Sequence, residues 1–149
     1  MPRSRWIPPS QPEALWRVFY DGDCALCHGF VRFLLKRDRR PQPIRYGPLQ
    51  GDVFRAIRAE GGDWPDPLPD SLAMIGPDGI LRFRSDGVLR ILGELGGIWR
   101  PLAAIGQLVP RRLRDFVYDR VAHVRKRIFG TTDAHCPVVP TEWRDRFLL

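Results

Sequence analysis

The sequence has few cysteines and no long uninterrupted hydrophobic run, and each shortage excludes a class of protein. Three of its 149 residues are cysteines, an odd number that does not suit the disulfide framework of a small secreted domain. The longest apolar tract, residues 88–109, is broken by charged residues, glycines and a proline, whereas a membrane-spanning helix needs about 20 mostly apolar residues. We therefore predict no membrane span and interpret this tract as two short helices.

The N-terminal stretch MPRSRWIPPSQPEALW is positively charged but has no apolar run behind it, so we expect no signal peptide and a reducing, cytoplasmic location. A hydrophobic fraction of 44% and a charged fraction of 28% are ordinary for a globular protein. The net charge of +7, mostly from arginine, favours weak attraction to anionic surfaces and names no partner. The length suits one domain, residues 1–149.

Apolar runs alternate with turn signals in a way that predicts an α/β fold. The predicted strands are residues 16–20, 44–47, 71–75 and 80–84. The predicted helices are residues 24–37, a short segment near 53–57 and a third helix that Asp86 is expected to cap and that carries the apolar residues from Val88 to Leu95. Strand–helix–strand–helix–strand–strand–helix is the order of the minimal thioredoxin-like fold. We predict such a core over residues 14–97, with a helical extension over residues 98–149 that packs on it.

The longest helix of the extension is predicted from about Arg111 to Phe129. Its apolar residues follow helical spacing and are expected to face the rest of the protein, while its basic residues form a solvated face. The apolar set comprises Leu113, Phe116, Val117, Val121, Val124 and Ile128. Nucleic acid or anionic lipid would suit the basic face, but acidic residues interrupt it, and we expect no nucleic-acid partner.

Two cysteines with C-x-x-C spacing lie where the first strand gives way to the first helix. With Asp23 as the N-cap, Cys24 is expected to be the first helical residue and to point towards solvent, where unpaired backbone N–H groups and the helix dipole stabilise a thiolate. Cys27 falls on the same stripe as Phe30 and Val31 and is expected to be shielded. An exposed nucleophile followed by a shielded resolving thiol is the arrangement that thiol–disulfide exchange requires.

Two carboxylates oppose this effect. Asp21 and Asp23 bring negative charge near the thiols, which disfavours a thiolate. Asp21 has a second interpretation, as a buried proton acceptor near Cys27, and we retain it as a candidate catalytic residue beside the two cysteines.

Three other interpretations of the cysteine pair stay open. C-x-x-C-H is a haem attachment signature, but covalent attachment normally happens outside the cytoplasm and Met74 is the only internal methionine for an axial ligand. Zinc needs four ligands, and Cys136 with His123 or His135 would have to complete the set without a suitable spacing. Finally, both thiols would be inert if they were simply buried. We expect no metal and no organic cofactor.

The segment YDGDCALCHGFVRFLLKRD resembles the opening motif of the DCC family of thiol–disulfide oxidoreductases, whose Asp–Cys–Cys pattern falls here on Asp21, Cys24 and Cys27. The likeness continues in SDGVLRILGELGGIWR, in VPRRLRDFVYDRVAHVRKRIFG and in CPVVPTEWRDRFL. The resemblance implies a thioredoxin-like fold, a redox role for the cysteine pair, and a protein or small-molecule thiol or disulfide as substrate. It departs from thioredoxin-like enzymes at Pro69, which lies a residue or two before the place where those enzymes carry a cis-proline.

Two further residues have both a chemical and a structural interpretation. His28 would tune the thiols, but we expect it to be a residue of the helix surface. Cys136 would be a third redox thiol, but an unreactive thiol in a packed tail is the simpler expectation. The alternative function from another class is a non-catalytic interaction module with a basic helical face and structural or regulatory cysteines.

Overall fold

The computed structural model describes residues 16–40, 43–60, 64–65, 68, 72–130 and 141–148, without the side chains of Lys126 and Phe129. Its elements form a mixed α/β fold with a four-stranded sheet. In chain order they are β1 (Arg17–Tyr20), α1 (Ala25–Arg37), β2 (Arg45–Pro48), α2 (Asp52–Ala59), β3 (Ala73–Ile75), β4 (Leu81–Phe83), α3 (Arg84–Leu95), α4 (Trp99–Leu108), α5 (Arg111–Phe129) and a 3₁₀ helix (Thr141–Arg146).

The strands lie in the order β2-β1-β3-β4. β1 pairs parallel to β2, with Val18 opposite Tyr46, and antiparallel to β3, with Val18 opposite Met74. β3 and β4 form an antiparallel hairpin. Because β1 is central, the loop that follows it and the start of α1 lie at the middle of one edge of the sheet.

Both faces of β1 are covered, which explains its almost continuous apolar sequence. Val18 and Tyr20 belong to a cluster that includes the buried residues of α1 and Ile91 of α3. Phe19 points to the opposite face and packs with Phe54 and other residues of α2. Alternation along a single strand therefore supplies two hydrophobic layers.

A buried carboxylate closes the C-terminal end of α1. Asp38 accepts a hydrogen bond of 2.7 Å from the Ile44 backbone N–H and pairs with the Arg40 guanidinium at 2.9 Å. Burial alone would raise the pKa of this carboxyl, but these hydrogen bonds and the arginine charge outweigh it and lower the pKa. Asp38 thus links the end of α1 to the start of β2.

The tract over residues 88–109 divides into α3 and α4, as two short helices were predicted to do. The helices pack closely, with Gly106 beside Leu89 and Gly93 beside Ala103. The expectation that Asp86 caps α3 was wrong, because the helix begins two residues earlier, at Arg84. Instead, Asp86 pairs with Arg111 at 3.0 Å and with Arg114 at 3.2 Å, which ties the start of α5 to α3.

Within the part of the chain that the structure describes, no helix is both long and apolar enough to cross a membrane.

The orientation of α5 is the opposite of the one predicted. Five of the six stripe residues are exposed and Val124 is half-buried, whereas Asp115, Tyr118 and Arg125 on the other side contact the rest of the protein. α4 also exposes apolar residues, and we call this combined set the α4–α5 apolar face. It comprises Ile98, Leu102, Ile105, Leu108, Val109, Leu113, Phe116, Val117, Val121 and Ile128. The contacts that hold α5 include hydrogen bonds and ion pairs with Ser85, Asp86 and Asp21.

Candidate dithiol site

The loop between β1 and α1 is shaped by Asp21. Its carboxylate accepts the backbone N–H of Asp23 at 3.0 Å, and its carbonyl accepts the backbone N–H of Cys24 at 3.2 Å. Gln50, which follows β2, accepts the Gly22 N–H at 3.0 Å and donates to the Asp21 carboxylate at 2.9 Å. The turn is therefore fastened to the neighbouring strand.

Cys24 itself is the N-cap of α1, so the expectation that Asp23 would occupy that position was wrong. The Cys24 Sγ accepts a hydrogen bond of 3.4 Å from the backbone N–H of Cys27. This is the hydrogen bond that a serine or aspartate oxygen makes at an N-cap. Negative charge on this sulfur would face the positive end of the helix dipole.

Neither sulfur is open to solvent, which corrects the expectation that Cys24 would point outward. Cys24 is 0% exposed and Cys27 is 5% exposed, and both are free thiols. They lie in the same hydrophobic cluster as Tyr20 and Val31. A substrate disulfide therefore has no direct route to either thiol in this conformation.

Arg125 of α5 reaches this buried pair from a distant part of the chain. One guanidinium nitrogen lies 3.5 Å from the Cys27 Sγ, and the other lies 3.1 Å from the Asp21 carboxylate. The arginine is 3% exposed. The guanidinium therefore joins two of the three residues of the predicted Asp–Cys–Cys set and contacts the sulfur of Cys27.

The surroundings of Cys27 favour its protonated form. Burial is the main cause, and with a hydrogen bond to Cys24 and the nearby Asp21 charge it raises the pKa of Cys27 to about 12. Arg125 acts in the opposite direction and lowers this pKa. At neutral pH the Cys27 thiol is protonated in this closed arrangement.

His28 is part of the site's support and is buried, so its assignment to the helix surface was wrong. Its Nε2 lies 2.6 Å from the Gly22 carbonyl oxygen, and a carbonyl can only accept, so Nε2–H is the donor. The ring also meets the Tyr20 ring edge-on, with centroids 5.4 Å apart. His28 thus holds the loop against α1.

Comparison with known proteins places the chain in a family. The profile of the DCC1-like thiol-disulfide oxidoreductase family matches residues 18–131, which include the cysteine pair and Arg125. The chain belongs to this family.

Two relatives of this DCC1-like chain illustrate how far the likeness extends. A chloroplastic DCC family protein of Arabidopsis thaliana is 32% identical over 117 residues, covering 78% of this chain and 66% of the plant protein. The uncharacterized protein YuxK of Bacillus subtilis is 31% identical over 131 residues, covering 88% of this chain and 92% of the bacterial protein. The chain thus spans slightly less than two thirds of the plant protein. The comparison with solved structures gave no significant match.

Sequence reasoning about this DCC1-like chain missed Arg125 and Gln50 as parts of the site. Arg125 was assigned to the solvated face because the apolar stripe beside it was expected to be buried. Tyr118, Ala122 and Arg125 follow one another at spacings of four and three residues, so they lie on one face of α5. Only the fold reveals that this face turns inward.

The other metal and redox candidates lie partly outside the described residues. Pro69, His135 and Cys136 belong to segments that the structure does not describe. His123 is on the exposed side of α5. Over the described ranges, no group of three or more histidine, cysteine, aspartate or glutamate side chains is arranged to hold a metal.

Proposed function

We propose that this chain catalyses thiol–disulfide exchange with Cys24 and Cys27, on a thioredoxin-like core formed by residues 14–97 and covered by the helical extension of residues 98–149. The observation that carries the proposal is the position of the Cys24 sulfur at the N-cap of α1, where it accepts the Cys27 backbone N–H. Membership of a family named for this activity supports it.

The two cysteines have different roles in the proposed reaction. The Cys24 thiolate attacks one sulfur of a substrate disulfide, forming a mixed disulfide and releasing the other sulfur as a thiolate. Cys27 is buried beside it, and once deprotonated it attacks the Cys24 sulfur and releases the remaining substrate thiol. The substrate gains two electrons and the protein ends as a Cys24–Cys27 disulfide, which a cellular dithiol or two equivalents of a monothiol reduce to complete the cycle.

Asp21 and Arg125 are proposed to assist the second step. Asp21 is the candidate proton acceptor of the site and Arg125 contacts both its carboxylate and the Cys27 sulfur. A positive charge next to Cys27 favours its thiolate, which the second attack needs. Arg125 is thus proposed as a positioning residue that acts through Cys27.

Burial sets a condition on this function. Since Cys24 is fully buried, the site has to open before a substrate disulfide can reach it, and we propose that α5, whose Arg125 contacts Cys27, moves away from the start of α1. We propose that the described conformation is the resting, closed form, and that the working form is a locally opened state.

The same burial favours a second candidate, a non-catalytic module in which the two thiols are structural. Buried cysteines are common and inert, and a Cys27 pKa of about 12 suits that role. The two candidates differ in whether the pair forms a disulfide under physiological redox conditions.

A redox titration followed by mass spectrometry tests the proposal. The protein, with Cys136→Ser to remove the third thiol, is equilibrated in glutathione or dithiothreitol buffers from about −180 to −320 mV and then alkylated. Exchange activity predicts a reversible loss of two hydrogen masses that joins Cys24 to Cys27. A pair that stays reduced across this range refutes the enzyme and favours the module.

Matched variants assign the roles. Cys24→Ser should abolish the mixed disulfide with a substrate, whereas Cys27→Ser should trap it on Cys24. If Cys27→Ser instead yields no mixed disulfide and Cys24→Ser does, then Cys27 is the nucleophile and the proposed order of attack is wrong.

Two further proposals concern the location of the chain and its domain organisation. We propose a cytoplasmic location for this chain, although one relative bears the name chloroplastic. We also propose that residues 1–149 fold as a single domain, because α5 contributes Arg125 to the dithiol site of the sheet.

A further inference from the structure

The large apolar side chains that α4 and α5 expose to solvent are confined to these two helices and the residues next to them. Among the described residues, every large hydrophobic side chain that is exposed lies between Ile98 and Ile128. Leu108 is 83% exposed and Ile98 69% exposed, at the two ends of α4. Exposed apolar residues concentrated in two neighbouring helices mark a surface that meets something other than water.

Arginines border the α4–α5 apolar face. Between Glu94 and Asp115 the sequence has no acidic residue and four arginines, of which Arg111 and Arg114 pair with Asp86 of α3. On α5, Arg120 lies among the exposed apolar residues, with its guanidinium 5.2 Å from the centre of the Phe116 ring. Arg100 and Arg112 are exposed on α4 and at the start of α5.

The acidic residues of α5 are engaged with α3 and do not neutralise this face. Asp115 accepts a hydrogen bond from Ser85 and pairs with Arg111. Asp119 pairs with Arg84 at 3.4 Å. The helix thus turns its carboxylates towards α3 and presents apolar and cationic groups outward.

We propose that the α4–α5 apolar face docks on an anionic membrane surface, with both helices lying in the plane of the interface. Apolar side chains then enter the boundary between headgroups and acyl chains, while the arginines meet lipid phosphates. A second copy of this chain fits poorly, because it would bring arginines against arginines, and the carboxylates of α5 are already paired with Arg84 and Arg111. The proposal is independent of the dithiol chemistry.

Sedimentation with vesicles tests the proposal on the full chain. The probes are vesicles of phosphatidylcholine alone and of phosphatidylcholine mixed with phosphatidylglycerol. We expect binding to the mixed vesicles, weak or no binding to the neutral ones, and a loss of binding as salt is raised, because salt screens the arginine–lipid attraction. This part of the test uses the unaltered protein, so it does not depend on the folding of any variant.

Paired variants identify the face. Removing two arginines with Arg100→Gln and Arg112→Gln should weaken binding to the mixed vesicles about thirtyfold. Replacing two exposed arginines elsewhere, with Arg39→Gln and Arg55→Gln, removes the same charge and should weaken it much less. Leu108→Ser should weaken binding about tenfold, because it removes inserted apolar surface. Circular dichroism melting of each variant checks that it is folded.

Three results would overturn the proposal. The first is an unaltered protein that stays in the supernatant with anionic vesicles, and the second is equal binding to neutral and anionic vesicles. The third is an equal loss of binding in the two arginine pairs, since net charge alone would then explain it. Analytical ultracentrifugation adds a fourth outcome: a dimer that Leu108→Ser dissociates would assign the face to a second copy and refute the lipid.

Discussion

Replacing Arg125 with glutamine should loosen the cover of the dithiol. The guanidinium forms a buried ion pair with Asp21 at 3.1 Å, and both side chains are less than a tenth exposed. Removing one partner of such a pair costs about 3–5 kcal/mol, because the other charge stays buried. Asp21 retains its hydrogen bonds from Gln50 and from the Asp23 backbone, so we expect the lower value, about 3 kcal/mol.

Two measurements follow from that magnitude. A loss of about 3 kcal/mol should lower the melting temperature by about 6–12 °C for a chain of this size. If the loss acts on the local opening of α5, alkylation of Cys24 by iodoacetamide should become about a hundredfold faster, since each 1.4 kcal/mol is a factor of about ten. Mass spectrometry of the alkylated peptides over time gives this rate.

Arg127→Gln is the matched control, because Arg127 lies two residues further along α5 and is exposed. Its free energy of unfolding should change by no more than about 0.5 kcal/mol. The reasoning is refuted if Arg125→Gln behaves like this control in both measurements. A double variant with Asp21→Asn should recover part of the loss, because no buried charge is then left without its partner.

Three further predictions concern pH and packing. Asp38→Asn should lower the free energy of unfolding by about 1–3 kcal/mol. The same substitution should reduce the fall in the free energy of unfolding as the solution is made acidic. A carboxyl whose pKa is lowered by folding stabilises the fold at pH values above its unfolded pKa of about 4, and that stabilisation is lost as pH falls. The Cys27 thiol acts with the opposite sign, because burial raises its pKa to about 12. Its contribution to stability is complete below the unfolded pKa of about 8.5 and is lost progressively as pH rises from there towards about 12. Cys27→Ala should therefore flatten the alkaline limb in urea titrations. Gly76→Ala should cost about 1–3 kcal/mol, because a Cβ there would lie 2.8 Å from a tryptophan ring, whereas Gly29→Ala, with open space around it, should stabilise α1.

Each of these outcomes has a clear contradiction. Equal acid limbs in the Asp38 variant and the unaltered protein would mean that another carboxyl controls acid unfolding. An unchanged alkaline limb after Cys27→Ala would mean that this thiol titrates normally. A Gly76 variant as stable as the Gly29 variant would show that the tight contact relaxes without cost.

The strands and helices of the core could be predicted from the sequence, because patterns among neighbouring residues determine where each of them begins and ends. The run around Val18 and Phe19 is apolar except for Arg17, as expected of a strand covered on both faces, and the glycine and aspartate turn after it ends the strand. Periodicity located α1 and the two short helices α3 and α4 for the same reason.

The orientation of α5 could not be predicted this way. A hydrophobic stripe normally marks the buried side of a helix, yet here the buried side carries Asp115 and Arg125. Their partners, Ser85 and Asp21, are remote in sequence, so the pattern of α5 alone does not reveal that polar groups of other elements face its buried side. The same limit explains the error for Cys24, which a helix-start pattern leaves exposed and which distant side chains cover.

The separation of 104 residues between Asp21 and Arg125 has a consequence during synthesis of the chain on the ribosome. Translation delivers β1, the cysteine pair and α1 long before it delivers α5, and domains tend to acquire structure as the chain emerges. For that interval the nascent core carries both thiols without the helix that later shields them. Oxidants and reactive electrophiles therefore have their best opportunity to modify the pair on the ribosome, before α5 has been translated.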